Sequence, residues 1–330
     1  MSTMRRVWKV PAAKASIVVL AGVALLVVAG GWLAPHDPLA QQPSAMLQGP
    51  SGAHLLGTDY LGRDVLSRLM AGTRVSVAGA LEAVATAVAI GILPGLASAW
   101  LGRRFEWFAL RITDTLMVVP FTVFAIAVVG TLGNGLHQSM IAIGILMSPL
   151  YFRITRAVTL GLRQQQYVEA AELMGASQWW ILRKHIWSKV LPTIAVTTAQ
   201  AVGTALLVMA SLTFLGLGVT PPAPTWGGML ASDLAYLNQQ PWAPVYPGLL
   251  IMLSVGALNL LADIIREATP DAVRRTWRSG RAVDSATGLV AGAAIGTALT
   301  GTAHPAPPAP GDEPVADDLK EGEHARVPAA

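Results

Sequence analysis

Long apolar runs, each about as long as a membrane-crossing helix, dominate the hydrophobic pattern of the chain. A helix needs about 20 mainly apolar residues to cross the hydrocarbon core of a bilayer. Six runs meet this length, at about 17–34, 75–100, 108–132, 136–158, 190–217 and 247–265. The short turn Gly133-Asn134-Gly135 makes the third and fourth runs an antiparallel pair. The pattern therefore predicts an all-α membrane protein with about six transmembrane helices.

Basic residues are distributed unevenly between the loops that join these runs. If the N-terminus is cytoplasmic, all 23 Lys and Arg residues except Arg63, Arg68 and Arg74 fall on the cytoplasmic side. Cytoplasmic loops are enriched in Lys and Arg, so we expect both termini in the cytoplasm. The basic residues before the first run also resemble a signal peptide. That run is longer than a usual signal core and more runs follow it, which favours its retention.

This orientation divides the chain into three parts. Residues 1–16 form a cytoplasmic N-terminal segment, residues 17–283 the transmembrane domain, and residues 284–330 a cytoplasmic tail. Within the domain, the segments 35–74 and 218–246 are extracytoplasmic, and residues 153–189 form the longest cytoplasmic loop. The tail is predicted to be disordered, because from Thr302 it holds mainly Pro, Ala and acidic residues. Its apolar run 289–300 is too short to span a membrane.

Composition supports the membrane assignment and excludes several kinds of chemistry. Hydrophobic residues make up 53% of the chain and charged residues only 13%, whereas about a quarter of the residues of a soluble domain are charged. Because there is no cysteine, disulfides and thiolate nucleophiles are excluded. The six histidines form no i, i+4 pair, so we expect no metal site. We also find no catalytic cluster, no internal repeat and no mid-membrane ionisable group, which argues against a membrane enzyme or a secondary transporter.

The cytoplasmic loop 153–189 has the pattern of two short helices. Residues 167–174 are strong helix formers and end at Gly175, a residue suited to the left-handed conformation that closes a helix. Ser177 can cap a second helix over residues 178–188, which carries both tryptophans and basic residues. This second helix could lie along the inner membrane surface. An ordinary interfacial loop would show the same features.

The sequence Glu169-Ala170-Ala171, followed by Gly175, resembles the EAA loop of binding-protein-dependent ABC importer permeases. In that family the short helix docks into a groove on the ATPase subunit. The resemblance implies a type I ABC importer permease fold. It also implies a set of ATPase-coupling residues: Tyr167, Glu169, Ala170, Ala171, Gly175 and Ala176.

Residues 54–68 are similar to the segment before the second span in the C-type permeases of dipeptide, oligopeptide and nickel importers. We call these residues the extracytoplasmic motif. Its matching positions are Gly57, Thr58, Asp59, Gly62, Arg63 and Asp64. Arg63 and Arg68 could pair with the two aspartates or face the binding protein, so a structural role and a docking role both stay open.

Residues 211–218 and 226–230 resemble the end of the fifth span and the following loop of the same family, and the resemblance covers about residues 15–275. Two positions depart from it. Trp187-Ser188-Lys189 stands where the family usually continues Leu-Pro-Asn, which puts the start of the fifth helix in doubt. Met209 stands where many members carry glutamate, which puts in doubt any polar role on the translocation path.

The resemblance implies a set of partners. They are a second, B-type permease, two ATPase subunits or one fused ATPase, an extracytoplasmic substrate-binding protein and membrane lipid, with no nucleic acid. The chain contains no Gly-Lys pair and hence no phosphate-binding loop of the Walker type. We therefore expect that it is not an enzyme and binds no cofactor, and that ATP and Mg²⁺ are bound by the ATPase partners. The expected location is the plasma (inner) membrane, as a multi-pass protein.

The fifth run carries several uncharged polar residues that are candidates for lining the path: Thr197, Thr198, Gln200 and Thr204. Hydroxyl groups in membrane helices often bond to their own backbone, so packing and path lining both stay open. An uncharged lining would suit di- or oligopeptides chosen by the binding protein. The alternative is a permease for nickel or another small solute.

Overall fold

The computed structural model describes residues 10–268, and within this range the regular structure is entirely helical. Residues 1–9 of the predicted N-terminal segment 1–16, and the whole predicted tail 284–330, lie outside the described residues. The helices are α1 Pro11–Leu33, α2 Val65–Ala97, α3 Gly102–Val118, α4 Phe121–Leu132, α5 Leu136–Arg163, α6 Gln166–Leu173, α7 Gln178–Ile181, α8 Trp187–Phe214, α9 Trp226–Leu234 and α10 Val245–Ala268. A 3₁₀ turn lies at Pro43–Ala45, and a π-helical turn at Leu182–Ile186 joins α7 to α8.

Within the described residues, five helices are long and apolar enough to cross a membrane: α1, α2, α5, α10 and the continuous helix Gln178–Phe214. The third predicted run, 108–132, is not one helix, and this prediction was wrong. It is divided between α3 and α4, with Val119 in an extended conformation before Pro120. Proline lacks a backbone N–H and disfavours helical geometry at the preceding residue. The apolar count was right, but the proline interrupts the helix.

Two helices extend beyond the predicted runs. Helix α2 begins at Val65 rather than near residue 75, because the Asp64 side chain accepts a hydrogen bond from the backbone N–H of Ser67 and caps the helix. Helix α5 continues to Arg163 rather than ending near residue 158. The polar ends of both helices were excluded by an argument based on apolar length alone.

Helices α2 and α5 pack closely, and glycines make this approach possible. A Cβ atom at Gly91 would lie 2.5 Å from the carbonyl oxygen of Ser148, and one at Gly144 would lie 2.5 Å from that of Ala83. Such distances are far below van der Waals contact. The small residues at these positions therefore allow close helix packing.

Helix α8 lies at the centre of the described fold, with α2, α5, α9 and α10 packed around it. Met209 of α8 is fully buried, and its sulfur occupies the space beside Gly79 of α2. In this chain the departure at position 209 therefore serves helix packing. Helix α1 packs at the outside against α2 and α10.

Candidate coupling and translocation sites

Helix α6 is the candidate coupling helix, and its C-terminus is closed as the sequence predicts. Gly175 adopts a φ of +82°, which only glycine reaches without strain. The N–H of Gly175 donates to the carbonyl of Glu172, and the N–H of Ala176 donates to that of Ala171. This pair of bonds is the Schellman arrangement, which satisfies the last carbonyls of a helix. The turn after α6 is thus fixed by its own backbone.

The second predicted helix of the loop is capped as expected but does not end at residue 188. The hydroxyl of Ser177 accepts a hydrogen bond from the N–H of Trp180 at 3.3 Å. The chain then passes through the π-helical turn into α8 without a break, giving one helix of 37 residues, Gln178–Phe214. The prediction of a separate helix over 178–188 was therefore wrong. Trp187-Ser188-Lys189 begins α8, immediately after the π-helical turn.

The two faces of α6 differ in exposure. Val168 and Ala171 are buried against the rest of the chain, whereas Glu169 and Ala170 are exposed. At its C-terminal end, 85% of Leu173 and 81% of Met174 are exposed. Exposed apolar side chains at the tip of a fixed helix are the feature expected of a surface that a partner covers.

Contacts from α7 and the start of α8 hold α6 in position. The ammonium of Lys189 lies 4.1 Å from the ring centroid of Tyr167, a cation–π distance. The ring of Tyr167 also contacts His185 at 5.7 Å between centroids. The side chain of Gln178 donates to the carboxylate of Glu172 at 3.2 Å. A displacement of α6 would therefore be passed to the base of α8.

The charged side chains of the extracytoplasmic motif form a buried network. Oδ2 of Asp59 accepts from Nε of Arg63 at 2.7 Å and lies 3.4 Å from Nε of Arg68. The other oxygen of Asp59 accepts from the N–H groups of Leu61 and Arg63. Asp59, Arg63 and Arg68 are all buried. The structural role is therefore the one that these contacts support, because buried side chains are not available to a docking protein.

The remaining motif residues fold the segment onto itself. The hydroxyl of Thr58 donates to the carbonyl of Ala45 and accepts from the N–H of Gln48. Gly57 and Gly62 both have positive φ, and a side chain at either would collide with the carbonyl of a facing loop residue. These glycines let two stretches of backbone touch.

Asp64 is both the cap of α2 and the partner of two histidines. Burial would raise the pKa of Asp64, but hydrogen bonds from Ser67 and His54 and the nearby His36 hold it below its usual value. Nδ1 of His54 lies 2.9 Å from Oδ1 of Asp64, and Nδ1 of His36 lies 3.8 Å from the same oxygen. Reasoning from sequence did not find this juxtaposition, because only close histidine spacings were considered.

Asp233 of α9 is a buried carboxyl beside the network. Burial, together with the charge of Asp59, raises its pKa to about 7, although Arg68 and Arg63 act in the opposite direction. Its Oδ2 has no hydrogen-bond partner among the described residues. Asp233 is the only charged residue between Lys189 and Asp263, a signal in the sequence that could have singled it out.

Trp226, in the family-like stretch 226–230, attaches the predicted extracytoplasmic loop 218–246 to α2. The backbone N–H of Trp226 donates to the hydroxyl of Ser76, and its indole N–H donates to the carbonyl of Leu69. Asn134, in the turn between α4 and α5, bonds to the far end of α8: its side chain donates to the carbonyl of Gly216 and accepts from the N–H of Gly218.

The four candidate path residues have different surroundings. Thr197 is buried, and Thr198 accepts a hydrogen bond from the hydroxyl of Tyr151 at 3.2 Å. Gln200 donates to Asp263 of α10 at 3.4 Å. Thr204 is exposed and bonds to the carbonyl one turn earlier in its own helix. The contacts of the first three support packing, and Thr204 is the best remaining candidate for a path-facing group.

Comparison with known families agrees with this geometry. Residues 87–275, more than half of the chain, match the model of the binding-protein-dependent transport system inner membrane component. Residues 2–50 match the N-terminal transmembrane domain of oligopeptide transport permease C. The chain belongs to the binding-protein-dependent transport system inner membrane components, the permeases of ABC importers, and is a multi-pass protein of the inner membrane.

Relatives within the family support a more detailed comparison. The probable D,D-dipeptide transport system permease protein of Escherichia coli (strain K12) is 38% identical over 78% of this chain and 86% of its own. A glutathione transport system permease protein of Pectobacterium atrosepticum is 39% identical over 67% of this chain and 73% of its own. The nickel transport system permease protein of Escherichia coli (strain K12) is 34% identical over 76% of this chain and 91% of its own.

A solved structure is similar in fold. A chain of the MetNI methionine ABC transporter, in an inward-facing conformation, superposes with a TM-score of 0.50 at 19% identity. The match covers 62% of this chain and 97% of that chain. The fold is thus that of a type I ABC importer permease.

Proposed function

We propose that this chain forms, with a second, B-type permease, the translocation path for di- or oligopeptides delivered by an extracytoplasmic binding protein. In this proposal two ATPase subunits, or one fused ATPase, bind ATP and Mg²⁺ and dock on α6, and the chain itself binds no nucleotide. The observation that carries the proposal is the exposed apolar tip of α6, formed by Leu173 and Met174, on a helix otherwise fixed to the base of α8.

The peptide substrate is supported by two of the relatives, whose names describe dipeptide and glutathione transport. The remaining candidate for lining the path agrees with it, because the side chain of Thr204 carries no charge. Nickel is the second candidate, since a nickel permease is 34% identical over 91% of its length.

The docking step is tested by Leu173→Arg combined with Met174→Arg. Both side chains are more than 80% exposed, so the double variant is expected to insert and fold normally. Purified from its own cells, the wild-type chain should bring down a second permease and ATPase subunits. The double variant should lose the ATPase subunits, because two charges replace apolar contacts at the interface.

The control is Leu101→Arg, an exposed leucine of the same predicted cytoplasmic side but outside α6. It should retain the ATPase subunits. If the wild type brings down no ATPase, or if the control loses it equally, the docking role of α6 is wrong.

Substrate is tested with the assembled complex and its binding protein in liposomes. We expect ATP hydrolysis to be stimulated by di- or oligopeptides and not by Ni²⁺. Stimulation by Ni²⁺ alone would replace the peptide proposal with the nickel alternative.

A further inference from the structure

Two histidines and an aspartate from distant parts of the sequence meet in the segment before α2. His36 follows the end of α1, His54 lies in the extracytoplasmic motif, and Asp64 caps α2. One possible ligand atom from each, a ring nitrogen of both histidines and a carboxylate oxygen, lies within 4.8 Å of the others. The two imidazole rings are 4.8 Å apart between centroids.

We propose that His36, His54 and Asp64 form a binding site for a divalent transition-metal ion such as Zn²⁺. Two imidazole nitrogens and one carboxylate oxygen are a donor set that suits this class of ion. Ligands about 2.0–2.2 Å from zinc stand roughly 3.3 Å apart in tetrahedral geometry. The distances from the Asp64 oxygen, 2.9 Å to His54 and 3.8 Å to His36, lie on either side of that value.

The groups around the three ligands hold them in position without using the ligand atoms. Ser67 donates twice to Oδ2 of Asp64, which leaves Oδ1 directed at the histidines. The backbone N–H of His36 donates to the hydroxyl of Ser67 at 3.0 Å. The backbone N–H of His54 donates to the hydroxyl of Ser51 at 3.1 Å. These backbone bonds fix the main chain that carries each histidine, and the two bonds to Oδ2 orient the Asp64 carboxylate, as outer hydrogen bonds do in metal sites.

The site is buried except on the side of His36. The side chains of Asp64 and His54 are almost fully buried, whereas 39% of the His36 side chain is exposed. An ion would enter from the His36 side and keep a water molecule as its fourth ligand. His36 can adjust its ring to complete the geometry, because it is not enclosed.

The position of the site indicates its purpose. The three ligands join the end of α1, the folded loop and the first turn of α2, so one ion would close a loop of about thirty residues. Closing a loop in this way removes conformational freedom from the unfolded segment and stabilises the folded one. The ion is thus a structural clamp on the segment before α2 and not transported cargo.

Binding is tested on the full chain in lipid nanodiscs, stripped of metal and titrated with Zn²⁺ against a chromophoric chelator. We expect the wild type to bind one Zn²⁺ that His36→Gln weakens at least tenfold. The matched control is His137→Gln. His137 is an exposed histidine 2.9 Å from the carboxylate of Glu82 and thus a second histidine–carboxylate pair, but no third ligand stands beside it among the described residues.

His36→Gln is the decisive variant, because its exposed side chain can be replaced without opening the core. Zn²⁺ should also raise the thermal midpoint of the wild type and of His137→Gln, but not that of His36→Gln. Equal Zn²⁺ affinity in the wild type and His36→Gln would overturn the proposal. An equal loss in His137→Gln would overturn it as well, since it would show adventitious binding to histidines.

Discussion

Asp233 provides a sharp test of how the predicted extracytoplasmic layer is stabilised. Its carboxyl is buried beside Asp59, with Arg63 and Arg68 nearby, and its pKa is raised from 3.8 to about 7. Well below pH 3.8 the carboxyl is protonated in both the folded and the unfolded chain. Above pH 7 it is ionised in both, but only the folded chain must hold the charge in a buried position. The free energy of unfolding therefore falls as pH rises from about 4 to about 7.

The magnitude follows from the size of the shift. Each pKa unit corresponds to about 1.4 kcal/mol, so a shift of about three units amounts to roughly 4 kcal/mol across this pH window. Asp233→Asn replaces the carboxyl with a neutral group of the same shape and removes this dependence. At about 2–4 °C per kcal/mol, the variant should unfold roughly 10 °C above the wild type at pH 8.

The assay is thermal unfolding of the detergent-solubilised chain between pH 4.5 and 8.5. The midpoints of wild type and Asp233→Asn should nearly coincide at the acid end and separate steadily up to pH 7. Asp37→Asn, at an exposed carboxyl of the segment before α2, should leave the wild-type profile unchanged. A difference between Asp233→Asn and wild type that stays constant across the whole pH range would refute the reasoning.

Three further predictions concern packing, the buried network and the path. Gly144→Ala should destabilise the chain by about 1–3 kcal/mol, because the new Cβ would collide with the backbone of α2. Gly22→Ala, with open space around it, should be neutral or slightly stabilising, and the thermal midpoints of the two variants are compared. Arg63→Met should cost about 1.5–3 kcal/mol, because buried Asp59 loses its 2.7 Å charged hydrogen bond and keeps only the more distant Arg68. Exposed Arg74→Met should cost almost nothing in the same assay, and equal midpoints would contradict the buried network. Thr204→Ala should lower peptide uptake without loss of assembly, and unchanged uptake would remove this residue from the path.

Local signals in the sequence were sufficient where the chain's own backbone decides the structure. Gly175 closes α6 and Ser177 caps the next helix because both devices depend on neighbouring residues alone. Apolar length located the membrane helices but not their ends. The cap at Asp64 was visible as Asp followed three residues later by Ser67, and it would have placed the start of α2 ten residues earlier.

Other features depended on contacts that no local pattern encodes. The break at Pro120 was visible in the sequence, but the apolar count over 108–132 gave it no weight. The meeting of His36 with His54 depends on how a loop of this chain folds back, and their separation matches no standard ligand spacing. The raised pKa of Asp233 likewise arises from neighbours far away along the chain.

The unbroken course of residues 178–214 has a mechanical consequence. Its two irregularities, the π-helical turn and Pro192, both lie near the end that contacts α6. Beyond Pro192 the remaining 22 residues to Phe214 form a stiff arm of about 33 Å. A tilt of about 10° at its base would carry the far tip about 6 Å. Because Asn134 hydrogen-bonds to Gly216 and Gly218 just beyond that tip, such a tilt would displace the turn between α4 and α5 together with the far end of α8.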